Sequence, residues 1–322
     1  MKMIVMNVWR TTGATLLIAS TLIAAAGCGA AQTPGSADER VQVVTAFYPF
    51  AYVAERVAGG RAEVTSLTQP GAEPHDVELT PRQVASVSSA DLVVYERTFQ
   101  ASVDEAVGQS GNAHVLDTAT VVPLQALGTA HEHEQEGHEH EGHEHEDESG
   151  LDPHVWLDPL NVATIGDAVA ARLSEADPAH ASDYAAGAAA LRDDLTRLDT
   201  EFRTGLDSCT RAEFVTTHAA FGYLARRYGL TQIAVSGLSP DAEPSPARIA
   251  EVQSEAREHD VTTIFYETLV SPAVAQSIAD DLGLTTDVLD PVEGITDASR
   301  GTDYLAVMRS NLAALERANG CR

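Results

Sequence analysis

The chain has 322 residues, 20 basic against 48 acidic side chains, and a formal charge of −28. That balance argues against a nucleic-acid partner, which would need clustered Lys and Arg. A hydrophobic content of 44% supplies material for a core and rules out a chain disordered throughout. Twelve unevenly spread histidines and three cysteines, Cys28, Cys209 and Cys321, are left to explain.

Lys2 and Arg10 precede an apolar, charge-free run over residues 11–26, too short to span a bilayer comfortably. It ends at Ala25, Ala26, Gly27 and Cys28. Small residues directly before a cysteine resemble the lipobox of bacterial lipoproteins, which implies a signal peptide over 1–27 and a lipid on Cys28. An ordinary secretory signal with an incidental cysteine is the alternative, and either one exports the chain. Residues 28–40 then read as a flexible tether. An exported chain meets an oxidising compartment, so Cys209 and Cys321 are expected to form a disulfide.

Next come two α/β halves. In the first, 42–47, 62–67, 91–96 and 114–117 read as strands, alternating with helices over 49–58, 80–90 and 99–107. Such alternation argues for right-handed βαβ units and a parallel sheet. A helical stretch follows over 159–206, broken at Asp177 and Pro178. Its second part, from residue 182, carries Leu191, Leu195, Leu198 and Phe202 on one face, as a long strut would. The second half repeats the plan, with strands at 213–217, 232–235, 261–266 and 285–289 and helices at 220–228, 246–259, 271–281 and 302–319. The expected organisation is an N-terminal lobe over 41–158, a helical linker over 159–208 and a C-terminal lobe over 209–322.

Six histidines, His131, His133, His138, His140, His143 and His145, crowd a tract within 129–150 that also holds nine acidic residues and no basic one. It has no apolar side chain with which to repay ordering, so a mobile loop is expected. Imidazole suits zinc, copper and nickel, and interleaved carboxylates concentrate cations. The tract reads as auxiliary metal capture.

Elsewhere, His75 lies in a turn-rich loop after the second strand, His154 just past the tract, His218 at the end of EFVTTH, and Asp290 after the last strand. Carboxyl ends of parallel strands are where open α/β sheets bind ligands. Three imidazoles and one carboxylate make a tetrahedral zinc set.

Four segments carry a resemblance: PGAEPHDVELTP (70–81), DPHVWLDP (152–159), FVTTHAAFGYLARRYGL (214–230) and LDPVEGI (289–295). With the lipobox and the histidine-acidic loop, they resemble the zinc-binding solute-binding proteins of ATP-driven metal importers, the ZnuA-like cluster A-I family. The resemblance implies two (βα)4 lobes with parallel sheets joined by a long rigid helix, and Zn2+ held between them as transported cargo. It also implies an ABC permease with a cytoplasmic ATPase as partners, and a chain that is no enzyme. Carried over residue by residue, the ligands are His75, His154, His218 and Asp290. Manganese-binding relatives commonly have glutamate at the third position, so His218 favours zinc.

Asp76, Asp152 and Glu267 are candidates to hold a ligand ring by its second nitrogen; Glu267 is also a candidate acidic ligand. Asp158 reads better as a helix N-cap. Tyr48, Phe50 and Phe221 fit either a site wall or ordinary core, and His114, His180 and His259 have no partner motif. The expected protein is an exported monomeric receptor, lipid-anchored to the outer face of the cytoplasmic membrane or periplasmic. The rivals are a manganese or iron receptor on the same fold, a metallochaperone or adhesin without a permease, and a zinc hydrolase. No HExxH run supports the last.

Overall fold

Short runs rich in Val, Ile, Thr and Phe become the strands, because β-branched and aromatic side chains fill a buried pleated surface. They are β1 (Val41–Thr45), β2 (Ala62–Ser66), β3 (Leu92–Tyr95) and β4 (Val115–Asp117) in one sheet. The second sheet holds β7 (Glu213–Thr216), β8 (Thr231–Ala234), β9 (Thr263–Tyr266) and β10 (Thr285–Val288). The structure, a computed structural model, describes residues 40–127 and 150–322. The expected leader, Cys28, nearly all of the tether and the six tract histidines lie outside the described residues.

Both sheets are parallel and share one strand order. The first runs β2-β1-β3-β4 and the second β8-β7-β9-β10. In each, the chain leaves the first strand in one direction and returns past it in the other. The switch point therefore falls between β1 and β3, and again between β7 and β9. The crossovers are α1 (Tyr48–Ala58), α2 (Pro81–Ser89) and α3 (Ala101–Ser110) in the first lobe. In the second they are α6 (Gly222–Tyr228), α7 (Pro246–Glu258) and α8 (Ala273–Leu282). Capping sets several starts: the Thr80 and Ser245 side chains accept the third helical N–H of α2 and α7, each with proline in the first turn.

Between the lobes run α4 (Pro159–Ala176) and α5 (Ala181–Leu206), separated at Asp177 by a single 3-10 turn, Pro178–His180. Tyr184, Leu191, Leu195, Leu198 and Phe202 form the buried stripe of α5, which at 26 residues is about 39 Å long. This helix packs on α4, on α1 of the first lobe and on α9 (Tyr304–Asn319) of the second. Its Gly187 is required by close approach: a Cβ there would lie 2.3 Å from the Val57 carbonyl oxygen of α1. A disulfide joins Cys209, just after α5, to Cys321, just after α9.

The structure departs from the expected plan in two instructive ways. One hydrophobic core takes Phe47, Trp156 and Val162 together with Phe214, Phe221, Phe265 and Leu289, so the two sheets are joined by shared apolar packing. A second, smaller core around Val215, Ile233, Ile264 and Ile278 belongs to the second lobe alone. A short antiparallel pair, β5 (Gln125–Ala126) with β6 (Leu151–Asp152), also appears where no strand was expected. Two residues per strand leave no readable alternation. Helix starts also shift: α3 begins two residues late, at Ala101, and Pro272 caps α8 rather than opening it.

Candidate metal centre

His75 sits on the loop between β2 and α2, shaped by Gly71 at φ +80°. The Glu73 carboxylate accepts the backbone N–H groups of His75 (3.1 Å) and Asp76 (3.3 Å). From α3's N-terminal edge, the Gln100 amide donates to the Pro74 carbonyl at 2.9 Å and fixes the loop from behind. The Phe99 ring packs edge-on against the His75 imidazole, centroids 4.6 Å apart.

His154 opens the 3-10 turn Val155–Leu157 and is wholly buried. Its Nδ1 lies 2.9 Å from Asp152 Oδ1, which also accepts the His154 backbone N–H. A donor at Nδ1 leaves the Nε2 lone pair for the cavity. Asp152 ends β6 and is held in turn by Arg226, at 3.4 Å. Gly222 makes room for it, since a Cβ there would lie 2.4 Å from Asp152 Oδ2.

His218 stands two residues beyond β7. Its Nδ1 is 2.5 Å from Glu267 Oε1, at the end of β9, and the Thr217 hydroxyl donates to the same oxygen at 2.6 Å. The Gln232 amide and the Thr216 hydroxyl donate to the His218 carbonyl.

These three rings face one another with centroids 5.4–5.8 Å apart. The carboxylate that meets them is Glu293. Its Oε1 lies 3.5 Å from His75 Nε2, 3.6 Å from His154 Nε2 and 3.9 Å from His218 Nε2. All four atoms are buried and without a hydrogen-bond partner. Ligands about 2.0–2.1 Å from a tetrahedral zinc sit roughly 3.4 Å apart, and the four atoms here lie within 4.8 Å of one another.

The expected fourth ligand, Asp290, is not in this group. Its Oδ1 accepts the Val292 N–H at 2.8 Å and its Oδ2 the hydroxyl of Thr268, on the loop after β9, at 3.1 Å, so both oxygens are engaged. The chain turns at Pro291 and Val292, and the carboxylate three residues on is the one that swings back to the histidines. Glu293 was visible in LDPVEGI, but strand position favours the residue nearest the strand end. Asp152 and Glu267 stand behind the rings of His154 and His218. Asp76 is exposed and falls in a separate acidic group with Glu73 and Asp241. Asp158 caps α4 through Leu160 N–H. Phe50 and Phe221 lie in the core, and the aromatics that touch the site are Phe99 and Trp156, whose ring is 5.2 Å from His154.

Burial pushes the His75 pKa down to about 4 and holds that of His154 below the ordinary imidazole value. It also lifts Glu293 to about 7 and Asp290 to about 6. His218 runs the other way: burial pulls it down, but the carboxylates of Glu267, Glu293 and Glu73, Glu267 foremost, together leave it raised. Burial likewise pushes Glu267 up, but the His218 charge and hydrogen bond prevail and lower it. The site thus mixes two ready imidazoles with a His218–Glu267 pair that must release a proton before Nε2 can bind a cation.

A cleft of about 370 Å³ opens on His75, lined also by Phe99, Leu151 and Pro153. Leu151 belongs to β6, whose pairing with β5 brings the described ends of the histidine-rich segment together.

The chain is 36% identical over 309 residues to the high-affinity zinc uptake system protein ZnuA of Bacillus subtilis, covering 93% of this chain and 95% of that protein. It is 37% identical over 296 residues to the zinc-binding lipoprotein AdcA of Streptococcus pneumoniae, of whose length it spans 56%. Among solved structures, the Zn(II)-bound ZnuA-like domain of the same AdcA superposes with a TM-score of 0.70 at 33% identity, covering 87% of this chain and 99% of that one. The family model described as zinc-uptake complex component A, periplasmic, matches residues 43–318. The chain belongs to this ZnuA family.

Proposed function

We propose that this protein is the extracytoplasmic zinc receptor of an ABC-type importer, binding Zn2+ through His75, His154, His218 and Glu293 and handing it to a membrane permease. One observation carries the reading: four buried polar atoms, three Nε2 and one carboxylate oxygen, converge unpartnered on one point. Leaving them so is unfavourable unless a cation fills the centre. Three imidazoles suit zinc better than manganese, which prefers oxygen. Four protein ligands leave a tetrahedral ion no open position, so the site holds zinc rather than activating water on it.

His75 and His154 come from the first lobe, His218 and Glu293 from the second. Bound zinc therefore braces the two lobes, and release requires moving one pair of ligands from the other. Zinc enters through the cleft at His75, the ligand nearest solvent, after capture by the six tract histidines. Lipid on Cys28 keeps a monomeric receptor beside its permease.

The test is metal-competition titration of the full chain with stoichiometry. One tight Zn2+ is expected, preferred over Mn2+, lost in His154→Ala and retained when residues 131–145 are deleted. Tight binding that survives His154→Ala but vanishes with the tract would overturn the assignment.

A further inference from the structure

The loop from Asp290 to Glu293 is held in an unusual conformation. Val292 adopts φ +59°, a left-handed backbone that a β-branched side chain strongly disfavours. It is wholly buried. Strain of this kind persists only where the surroundings over-determine it.

The surroundings here are specific. Asn311 of α9 accepts the Asp290 N–H at 2.9 Å and donates to the Asp290 carbonyl at 2.7 Å, as a neighbouring strand would. The Asp290 carboxylate receives the Val292 N–H and the Thr268 hydroxyl. Across the lobe boundary, the Trp156 indole donates to the Pro291 carbonyl at 2.7 Å. These bonds grip the two residues before Val292 and the N–H of Val292 itself, and the next side chain is Glu293.

We infer that Asp290 is a positioning residue for the metal site: its carboxylate holds Val292 left-handed, and that conformation delivers Glu293 to the three histidines. The inference rests on the reading of Glu293 as a zinc ligand. Without the Asp290 carboxylate, Val292 relaxes toward negative φ and the Glu293 carboxylate leaves the point where the three Nε2 atoms meet. Glycine at 292 reaches positive φ without that strain, so it should restore what loss of Asp290 removes.

The experiment measures Zn2+ affinity by chelator competition, with the Co2+ absorption bands reporting tetrahedral coordination. It uses Asp290→Ala, Asp290→Asn, Glu293→Gln and the double variant Asp290→Ala with Val292→Gly. Asp290→Ala should bind Zn2+ about tenfold more weakly, with altered Co2+ bands. The double variant should recover wild-type bands and affinity to within about threefold, even though the glycine removes a buried side chain and lowers thermal stability. Asp290→Asn, which keeps an acceptor for the Val292 N–H, should stay near wild type and serves if the alanine variant does not fold.

Wild-type affinity and bands in Asp290→Ala, beside a much weakened Glu293→Gln, would refute the positioning role while leaving the ligand intact. A double variant as weak as Asp290→Ala would refute it too. Loss in Asp290→Asn as large as in Glu293→Gln would return Asp290 to the metal. Wild-type binding by Glu293→Gln would overturn the ligand reading instead.

Discussion

The two lobes put the same residue at the same place and obtain opposite behaviour from it. In the first sheet Thr45 of β1 pairs with Val94 of β3, and two residues further on stand Phe47 and Glu96. In the second, Thr216 of β7 pairs with Phe265 of β9, and two residues further on stand His218 and Glu267. Both glutamates follow a tyrosine at the strand end, and both are buried at the switch point. Glu96 has the Thr118 hydroxyl on one oxygen and none on the other, and burial holds it well above the ordinary carboxylate range. Glu267 has His218 and lies below that range despite burial. Burial raises Glu96, which has no imidazole beside it, whereas the His218 charge and hydrogen bond bring Glu267 down against burial. The first lobe then supplies its two histidines from loops, at His75 and His154.

The harshest way to break the comparison is to give the second lobe the first lobe's residue. His218→Phe removes a ligand and leaves Glu267 buried without its imidazole. Zinc affinity should fall by more than the roughly 100-fold upper end for loss of an outer partner. Zinc should also lose its stabilising effect, which at 100 times Kd is about 2.7 kcal/mol for the intact protein. Differential scanning with and without Zn2+ checks this; an undiminished zinc-dependent rise in Tm would mean that His218 is not a ligand.

A milder intervention exchanges only the carboxylates and follows pH. Glu293, lifted to about 7, and His218, also raised, hold protons that zinc must expel, whereas His75 at about 4 holds none near neutrality. Zinc affinity should therefore fall as pH drops below about 7, by roughly tenfold per pH unit for each proton displaced. Glu267→Gln should weaken binding at pH 7 about tenfold and make the pH profile shallower, because His218 loses the charge that raises it. Glu96→Gln should leave both affinity and slope unchanged. Equal effects of the two substitutions on the slope would erase the distinction between the lobes.

Most of this architecture could be read from residue order, because the signals were redundant. Strand–helix alternation, proline at helix starts and the Leu191, Leu195, Leu198 and Phe202 stripe each point to the same two sheets and strut. The gathering of the three histidines was legible for a similar reason, His75 and His218 following parallel strands and His154 standing in a motif beside the histidine-rich tract. The carboxylate that meets them was not. Asp290 and Glu293 lie three residues apart, and choosing between them requires the backbone at Val292, a residue whose own preference is against the conformation it adopts. The shared core was hidden as well, since Phe47 and Phe265 look like ordinary strand-end aromatics until the two sheets are placed together.

The finest test lies in stability and reads the neutral glutamate directly. Glu96, with its pKa raised above the ordinary 4.5, keeps its proton in the folded chain where the unfolded chain has already lost it. Unfolding then releases a proton, so this group's contribution is full below about pH 4.5 and is lost as pH climbs toward the folded value. The slope is at most about 1.4 kcal/mol per pH unit. Glutamine cannot ionise and carries no such dependence, so the Tm of Glu96→Gln relative to wild type should rise as pH climbs above about 4.5. For Glu267, lowered by His218, the sign reverses: its contribution is present above the ordinary carboxylate pKa and is lost on acidification, so Glu267→Gln should lose its disadvantage as the solution becomes acid. Thermal melts of both variants in zinc-free buffer from about pH 3 to about pH 7.5, reaching below the ordinary carboxylate pKa where the Glu267 contribution is lost, compare the lobes without the metal. Parallel curves would mean that the two glutamates share one ionisation state, and that the contrast between Phe47 and His218 does not set it.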